Sequence, residues 1–213
     1  AGWVMVASGL VDRPSVSHFN LTIHLLLALT LFGLALWTAL GYKYGFPDKA
    51  KTAKWSLPSK LALTSFVLLI IQIAYGGMTA GLKAGHVSDT WPLMLGKLIP
   101  PNLFNSFLNI FESPQTIVFI HRWFAFAVLV AIAALYFAVR KQSHPIEVKQ
   151  GLSWLLGLVA FQIVLGILTV VLHVPLVIAL AHQAAALSLF ALLIYFIHRL
   201  RARDFLRSPQ IKT

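Results

Sequence analysis

Three histidines stand at matching places in three apolar stretches of the chain. His24 follows Ser17 by seven residues, His121 follows Pro114 by seven, and His182 follows Pro175 by seven. Seven residues of helix rise about 10 Å. All three imidazoles are therefore expected inside the apolar layer of a membrane, in its outer third. An ionisable side chain within a membrane span is a functional residue by default. One such histidine can equally be bonded to a neighbouring helix. Three in equivalent positions point to a shared ligand role.

The rest of the composition narrows that chemistry. There is no cysteine, which excludes disulfides, thiolate nucleophiles and zinc–sulfur or iron–sulfur centres. The apolar stretches hold no Asp or Glu, so a hydrolytic metal site lacks its usual base and a proton path its usual carriers. Neutral imidazole without thiolate suits iron, copper or zinc. Haem fits best, as a flat apolar ligand that packs between helices with a histidine from each side. Arg122, directly after His121, is a propionate partner by its guanidinium fork, or else a side chain snorkelling to headgroups. Gly76, Gly77, Gly81 and Gly166 give room for a ring or for close helix packing. The other five histidines read as solvated or interfacial: His18 and His86 at the outer surface or in a loop, His144 in an inner loop, His173 in a hairpin turn and His198 at the inner membrane edge.

The elements that position these groups are membrane helices. The chain of 213 residues is 59% hydrophobic and 11% charged, against about 25% charged in a soluble domain. Five apolar stretches reach the roughly 20 residues needed to cross a bilayer: Ser17 to Gly41, Leu61 to Leu82, Ile117 to Val139, Leu152 to Leu172 and Leu176 to Ile197. The fold class is all-α, a polytopic membrane helix bundle with five transmembrane helices. The last two helices form a tight hairpin across His173-Val174-Pro175.

The net charge of +11 is a topology signal, not a nucleic-acid footprint. Lys43, Lys49, Lys51, Lys54, Lys60, Arg140, Lys141, Lys149, Arg199, Arg201, Arg203, Arg207 and Lys212 fall on one side. Arg13, Lys83, Lys97 and Arg122 fall on the other. The rich side is the cytoplasm, or the matrix of a mitochondrion, which places the amino terminus outside and the carboxy terminus inside. The long outer connection from Lys83 to Thr116 is either a short amphipathic helix on the membrane surface or a loop covering the bundle.

The pattern repeats. Gln72-Ile73 is followed by Gly77 and Thr79, and Gln162-Ile163 by Gly166 and Thr169, which reads as helix pairs in tandem. His24 has no such helix before it. The chain opens Ala1-Gly2-Trp3-Val4-Met5, without an initiator methionine or a signal-peptide pattern, so it is expected to be processed or truncated.

The chain resembles the haem A synthase family along nearly its whole length. The resemblance rests on Gly2-Trp3 through Ser8-Gly9-Leu10, Val16-Ser17 with Leu21 and His24-Leu25, and Gln72-Ile73. It continues through Ala80-Gly81-Leu82, Ala84-Gly85, Thr90-Trp91-Pro92-Leu93-Met94 and Phe119-Ile120-His121-Arg122. Gln162, Leu165-Gly166-Ile167 with Thr169, Val174-Pro175 and His182-Gln183 complete it. The resemblance implies an eight-helix bundle in two similar four-helix halves, each offering a pair of histidines to haem. It implies oxidation of the C8 methyl of haem O to the formyl group of haem A, for cytochrome oxidase. His121 and His182 would ligate a haem b cofactor in the second half, and His24 would be one of two histidines at the substrate site of the first.

On that reading residues 1–41 are a remnant of the first half, 42–60 an inner linker, and 61–213 the second half with its tail. The first three helices of the family, with the other first-half histidine and its acidic neighbour, are not in the sequence, and neither is the outer cysteine pair of some members. The chain alone is expected to lack the full substrate site. Expected partners are membrane lipid, haem O handed over from haem O synthase, an electron-transfer partner of unknown kind, a possible second copy, and no nucleic acid. The location is the bacterial inner membrane, or the mitochondrial one in a eukaryote. A non-enzymatic b-type cytochrome passing electrons to a quinone or partner subunit is the alternative. A repeat-built transporter is disfavoured by the lack of broken polar helices.

Overall fold

The structure is a computed structural model that describes residues 2–7, 16–46 and 54–207. Ser8, Gly9 and Leu10 of the first motif, the 47–53 part of the basic linker and the tail beyond 207 lie outside the described residues. Among the described residues there are seven α-helices: α1 (Gly2–Ala7), α2 (His18–Tyr44), α3 (Leu57–Gly81), α4 (Asn109–Glu112), α5 (Pro114–Arg140), α6 (Ile146–Val171) and α7 (Leu176–Arg207). Among the described residues there is no strand, and α2, α3, α5, α6 and α7 are each long and apolar enough to span a membrane. The protein is a multi-pass membrane protein.

Helix ends follow local chemistry. Ser56 and Ser113 cap α3 and α5, their side chains accepting from the backbone N–H of Ser59 and Thr116, with Pro58 and Pro114 in the first turn. Proline costs nothing there because its missing N–H would be unpaired anyway. α3 thus begins four residues before the apolar run that starts at Leu61. α7 runs ten residues past Ile197. That polar extension is held at the tail end of the bundle. Asp204 Oδ2 accepts from Ser59 Oγ at 2.7 Å, Ser56 N at 3.2 Å and Arg201 Nη1 at 3.2 Å, and Arg201 lies over the Trp55 ring at 4.2 Å. The α6–α7 turn is made by His173 and Val174 in left-handed conformation, φ 61° and 62°, with Val174 N–H donating to the Thr169 carbonyl at 2.7 Å.

Helices α3, α5, α6 and α7 pack on one another in a closed ring, with α5 and α7 facing across it, and α2 lies outside against α3 and α7. Close approach of α2 to α3 is made by Gly77 and Gly81, a small-xxx-small pair of the kind that joins membrane helices. A Cβ at Gly77 would stand 3.0 Å from Thr22 Oγ1, and one at Gly81 would stand 2.7 Å from His18 Cα. Gly33 gives the matching contact of α2 with Phe190 and Ile194 of α7. The apolar core fills the tail half of the bundle, with Leu69, Ile132, Leu135, Leu155, Leu189 and Leu193 almost fully buried. A smaller cluster of Ala84, Met94 and Val118 lies under the long connection.

That connection is mostly irregular, with a 3-10 turn at Ala84–His86 and only the single turn α4. A surface helix is present at that length alone. Leu95, Leu98, Ile99, Phe104, Phe107 and Leu108 of this connection are exposed.

Candidate functional site

Between the two apolar clusters lies a polar layer. Gln72 on α3 and Gln162 on α6 stand one helical turn from the core residues Leu69 and Val159. His121 on α5 and His182 on α7 stand two turns from Val128 and Leu189. The imidazoles of His121 and His182 face each other with ring centres 6.4 Å apart and planes 79° apart.

Each ring rests on a glutamine and a glycine of the neighbouring helix. Gln72 Nε2 donates to the His121 carbonyl at 2.9 Å and lies 3.2 Å from His121 Nδ1. His182 Nδ1 lies 3.1 Å from the Gln162 carbonyl, and Gln162 Nε2 lies 3.4 Å from His182 Nε2. A Cβ at Gly76 would meet His121 Cε1 at 3.1 Å, and one at Gly166 would meet His182 Cε1 at 3.0 Å. In a helix the carbonyl of residue i bonds the N–H of i+4. A glycine at i+4 therefore leaves that carbonyl uncovered, and the His182 ring occupies the space. The repeat is thus Gln-x-x-x-Gly, with Gly76 as the partner of Gly166. The expectation that Gly77 filled that role is corrected, because Gly77 faces α2. The signal was in the sequence as equal spacing, four residues from each glutamine.

His24 on α2 meets only an ordinary contact with α1. A Cβ at Gly2 of α1 would stand 3.6 Å from His24 Cε1. His24 is half-buried and turned toward α1, on a helix outside the four-helix ring. The structure brings His121 and His182 together and leaves His24 apart from them.

Arg122 is buried, 8% exposed, and two of its donors are taken. Nη1 donates to the Thr90 carbonyl at 3.1 Å and Nη2 to the Ser88 carbonyl at 2.6 Å. Nε has no partner among the described residues. The side chain therefore pins the 88–95 stretch over the histidine pair rather than snorkelling to headgroups. Trp91 of that stretch stacks on Phe126 and lies tilted against Trp123 at 5.8 Å.

The remaining histidines divide. His86 and His173 are exposed, and His173 Nδ1 lies 3.8 Å from Asp89 Oδ2. His18 Nε2 lies 3.1 Å from the Phe111 carbonyl, tying α2 to α4, and His144 is half-buried. His198 departs from its expected interfacial place. It is fully buried, edge-on to Trp37 at 5.0 Å, because α7 continues as a packed helix well beyond the apolar run. An apolar groove of about 480 Å³ between α2 and α7, lined by Leu25, Leu29, Phe32, Leu180, Gln183 and Leu187, lies beside the histidine pair and not at it.

Among the described residues no three metal-binding side chains converge; the candidate donors brought together are the two imidazoles of His121 and His182. Histidine nitrogens bind a metal at about 2 Å, so an ion between two of them leaves ring centres roughly 6 Å apart. The observed 6.4 Å fits that spacing. Two imidazoles on facing helices, each with a glycine beside its ring, suit a haem iron.

Fold and geometry together describe a multi-pass membrane protein with two facing imidazoles at one end of a four-helix ring. The chain matches the cytochrome oxidase assembly protein family over residues 1–194, and it belongs to that family. It is 41% identical over 205 residues to a haem A synthase of Wolbachia pipientis wMel, covering 94% of this chain and 56% of that protein. It is 38% identical over 205 residues to one of Flavobacterium johnsoniae, covering 93% and 59%. The haem A synthase of Bradyrhizobium diazoefficiens is 39% identical over 211 residues, covering 95% and 56%. The chain spans a little over half the length of these curated relatives.

Proposed function

We propose that this chain is the haem b-binding half of a haem A synthase, the membrane oxidoreductase that converts the C8 methyl of haem O to the formyl group of haem A for cytochrome oxidase biogenesis. The observation that carries the reading is the His121–His182 pair, 6.4 Å apart, in a family whose named relatives are haem A synthases. When bound, a haem b supplies one-electron transfer between its ferric and ferrous states.

The chain's residues do the rest. His121 and His182 would hold the iron, one from α5 and one from α7. Gly76 and Gly166 leave room for the two rings. Arg122 fixes the covering loop and keeps its Nε donor for a propionate. The buried layer of Val118, Ile117 and Met94 excludes water from the loop side. His24 is a substrate-haem histidine completed by the other half of the whole enzyme. The residues divide as a first-half segment over 1–41, a linker over 42–60 and the haem b half over 61–213.

The basic tail end faces the cytoplasm or matrix, and the long connection faces the other side. There its exposed Leu98, Ile99, Phe104 and Phe107 sit among lipid headgroups, as apolar side chains at a membrane surface do. Haem O would be delivered by the enzyme that makes it.

The test is pigment extraction from membranes of a haem O-producing host. The chain co-expressed with the amino-terminal half of a relative is expected to yield haem A, and the chain alone to yield none. Absence of haem A in the paired case, with both halves present and haem b bound, would favour a plain b-type cytochrome.

A further inference from the structure

Open hydrogen-bond donors around the histidine pair are unevenly placed. Thr79 stands seven residues beyond Gln72 on α3, two turns along the helix line that meets His121. Its hydroxyl is buried and has no hydrogen-bond partner among the described residues. Other helix threonines are satisfied locally. Thr22, Thr30, Thr38 and Thr169 donate to the carbonyl four residues earlier, at 2.8, 2.8, 2.9 and 2.7 Å. Thr169 is the repeat equivalent of Thr79, seven residues beyond Gln162, so the second repeat has no open hydroxyl at this place.

The same asymmetry holds on the histidine helices. Arg122, directly after His121, has a buried Nε without a partner among the described residues. Gln183, directly after His182, is exposed and lines the groove between α7 and α2. Both open donors thus belong to α3 and α5, and neither has a counterpart on α6 and α7.

A haem is an apolar ring with two propionate carboxylates on one edge. On the tail side of the histidine pair the bundle is filled by Leu69, Val128, Val159 and Leu189. A carboxylate there would be buried without a partner, which is strongly unfavourable. The carboxylate edge therefore faces the loop side. Resting on the haem b reading above, we infer that Thr79 is a haem-binding residue: its hydroxyl and Arg122 Nε donate to the propionate carboxylates, which sets that edge at the α3–α5 seam rather than at α6–α7. Hydrogen bonds from neutral donors to a charged acceptor are stronger than those between neutral groups, so the hydroxyl left open in the empty site gains its partner on loading.

The test separates carboxylate recognition from packing. The chain and its variants, purified in detergent and freed of haem, are titrated with protohaem and with its dimethyl ester, which keeps the ring and iron but has no carboxylate. Thr79→Val keeps the branched shape and removes the hydroxyl. It is expected to bind protohaem about tenfold more weakly than the parent, the lower end for a lost bond to a charged group, and to bind the ester as the parent does. Thr79→Ser is expected to restore protohaem binding, and Thr169→Val to bind both as the parent does. Without haem, Thr79→Val is expected to melt no lower than the parent, because no internal bond is lost.

Equal weakening of protohaem and ester in Thr79→Val overturns the inference, since the loss is then packing. Parental protohaem binding in that variant, or a matching loss in Thr169→Val, overturns it too. Thr79→Ala reads the same comparison if the valine variant does not fold. A folded parent chain that takes up neither haem overturns the haem b reading itself, an outcome distinct from a parent that binds protohaem without regard to Thr79.

Discussion

Gly166→Ala tests whether the glycine spacing is built for the imidazole. The new Cβ would stand 3.0 Å from His182 Cε1 and 3.6 Å from Nδ1. Carbon atoms prefer to be about 3.5–4.0 Å apart, so the ring must retreat by roughly half an ångström or more. The 3.1 Å contact from Nδ1 to the Gln162 carbonyl then lengthens past ordinary hydrogen-bond range. Losing that bond costs about 0.5–1.5 kcal/mol. Replacing a helix-interior glycine by alanine returns about 0.8–1.0 kcal/mol. The two nearly cancel, so fold stability should stay within about 1 kcal/mol of the parent while haem retention falls about tenfold. Gly166→Leu, with a longer side chain aimed at the ring, should lose the haem altogether. Gly157→Ala on the same helix meets nothing within 4 Å and serves as the control, with parental haem content and an unchanged or slightly raised melting temperature. The assay pairs pyridine haemochrome with thermal unfolding in detergent. Full haem content in Gly166→Leu would refute the argument that the missing Cβ makes the site.

Other outcomes follow from the same geometry. Asp204→Ala breaks a pair whose side chains are 7–8% exposed and uncaps Ser56 and Ser59; it should destabilise the fold by about 3–5 kcal/mol, read as a lower melting temperature with haem binding kept below it. Arg122→Ala removes two bonds from a charged donor, worth about 1.5–3 kcal/mol each. Hydrogen exchange should then rise at Ser88–Leu95 and leave the core of α7 unchanged, and an unaltered loop would contradict the pinning role. Gly77→Leu should loosen α2 from α3 while leaving the His121 spectrum in place, because its side chain would point at Thr22 and Leu25.

The five spans and the three histidine positions were legible because both rest on short-range rules: apolar length, and a fixed number of residues from a helix start. Helix ends were less so. α3 starts at Leu57 because Ser56 and Pro58 cap it, and α7 runs to Arg207 because Asp204 finds Ser56, Ser59 and Arg201, a contact between residues nearly 150 positions apart. His198 is buried beside Trp37 of α2, and its place at the edge of an apolar run gave no hint of that contact. Gly76 and Gly77 are neighbours in sequence but serve different helices, and only the packing tells which faces α5 and which faces α2. For Arg122, sequence offered two roles for a charged side chain near a membrane surface. The fold supplies a third, two loop carbonyls more than thirty residues upstream.

The most direct measurement is the visible spectrum of the purified chain, oxidised and reduced, beside His121→Ala, His182→Ala and His24→Ala. One low-spin b-type haem per chain, lost in the first two variants and retained in the third, is the predicted result. A parental spectrum in either His121→Ala or His182→Ala would contradict the assignment of this pair as the haem ligands.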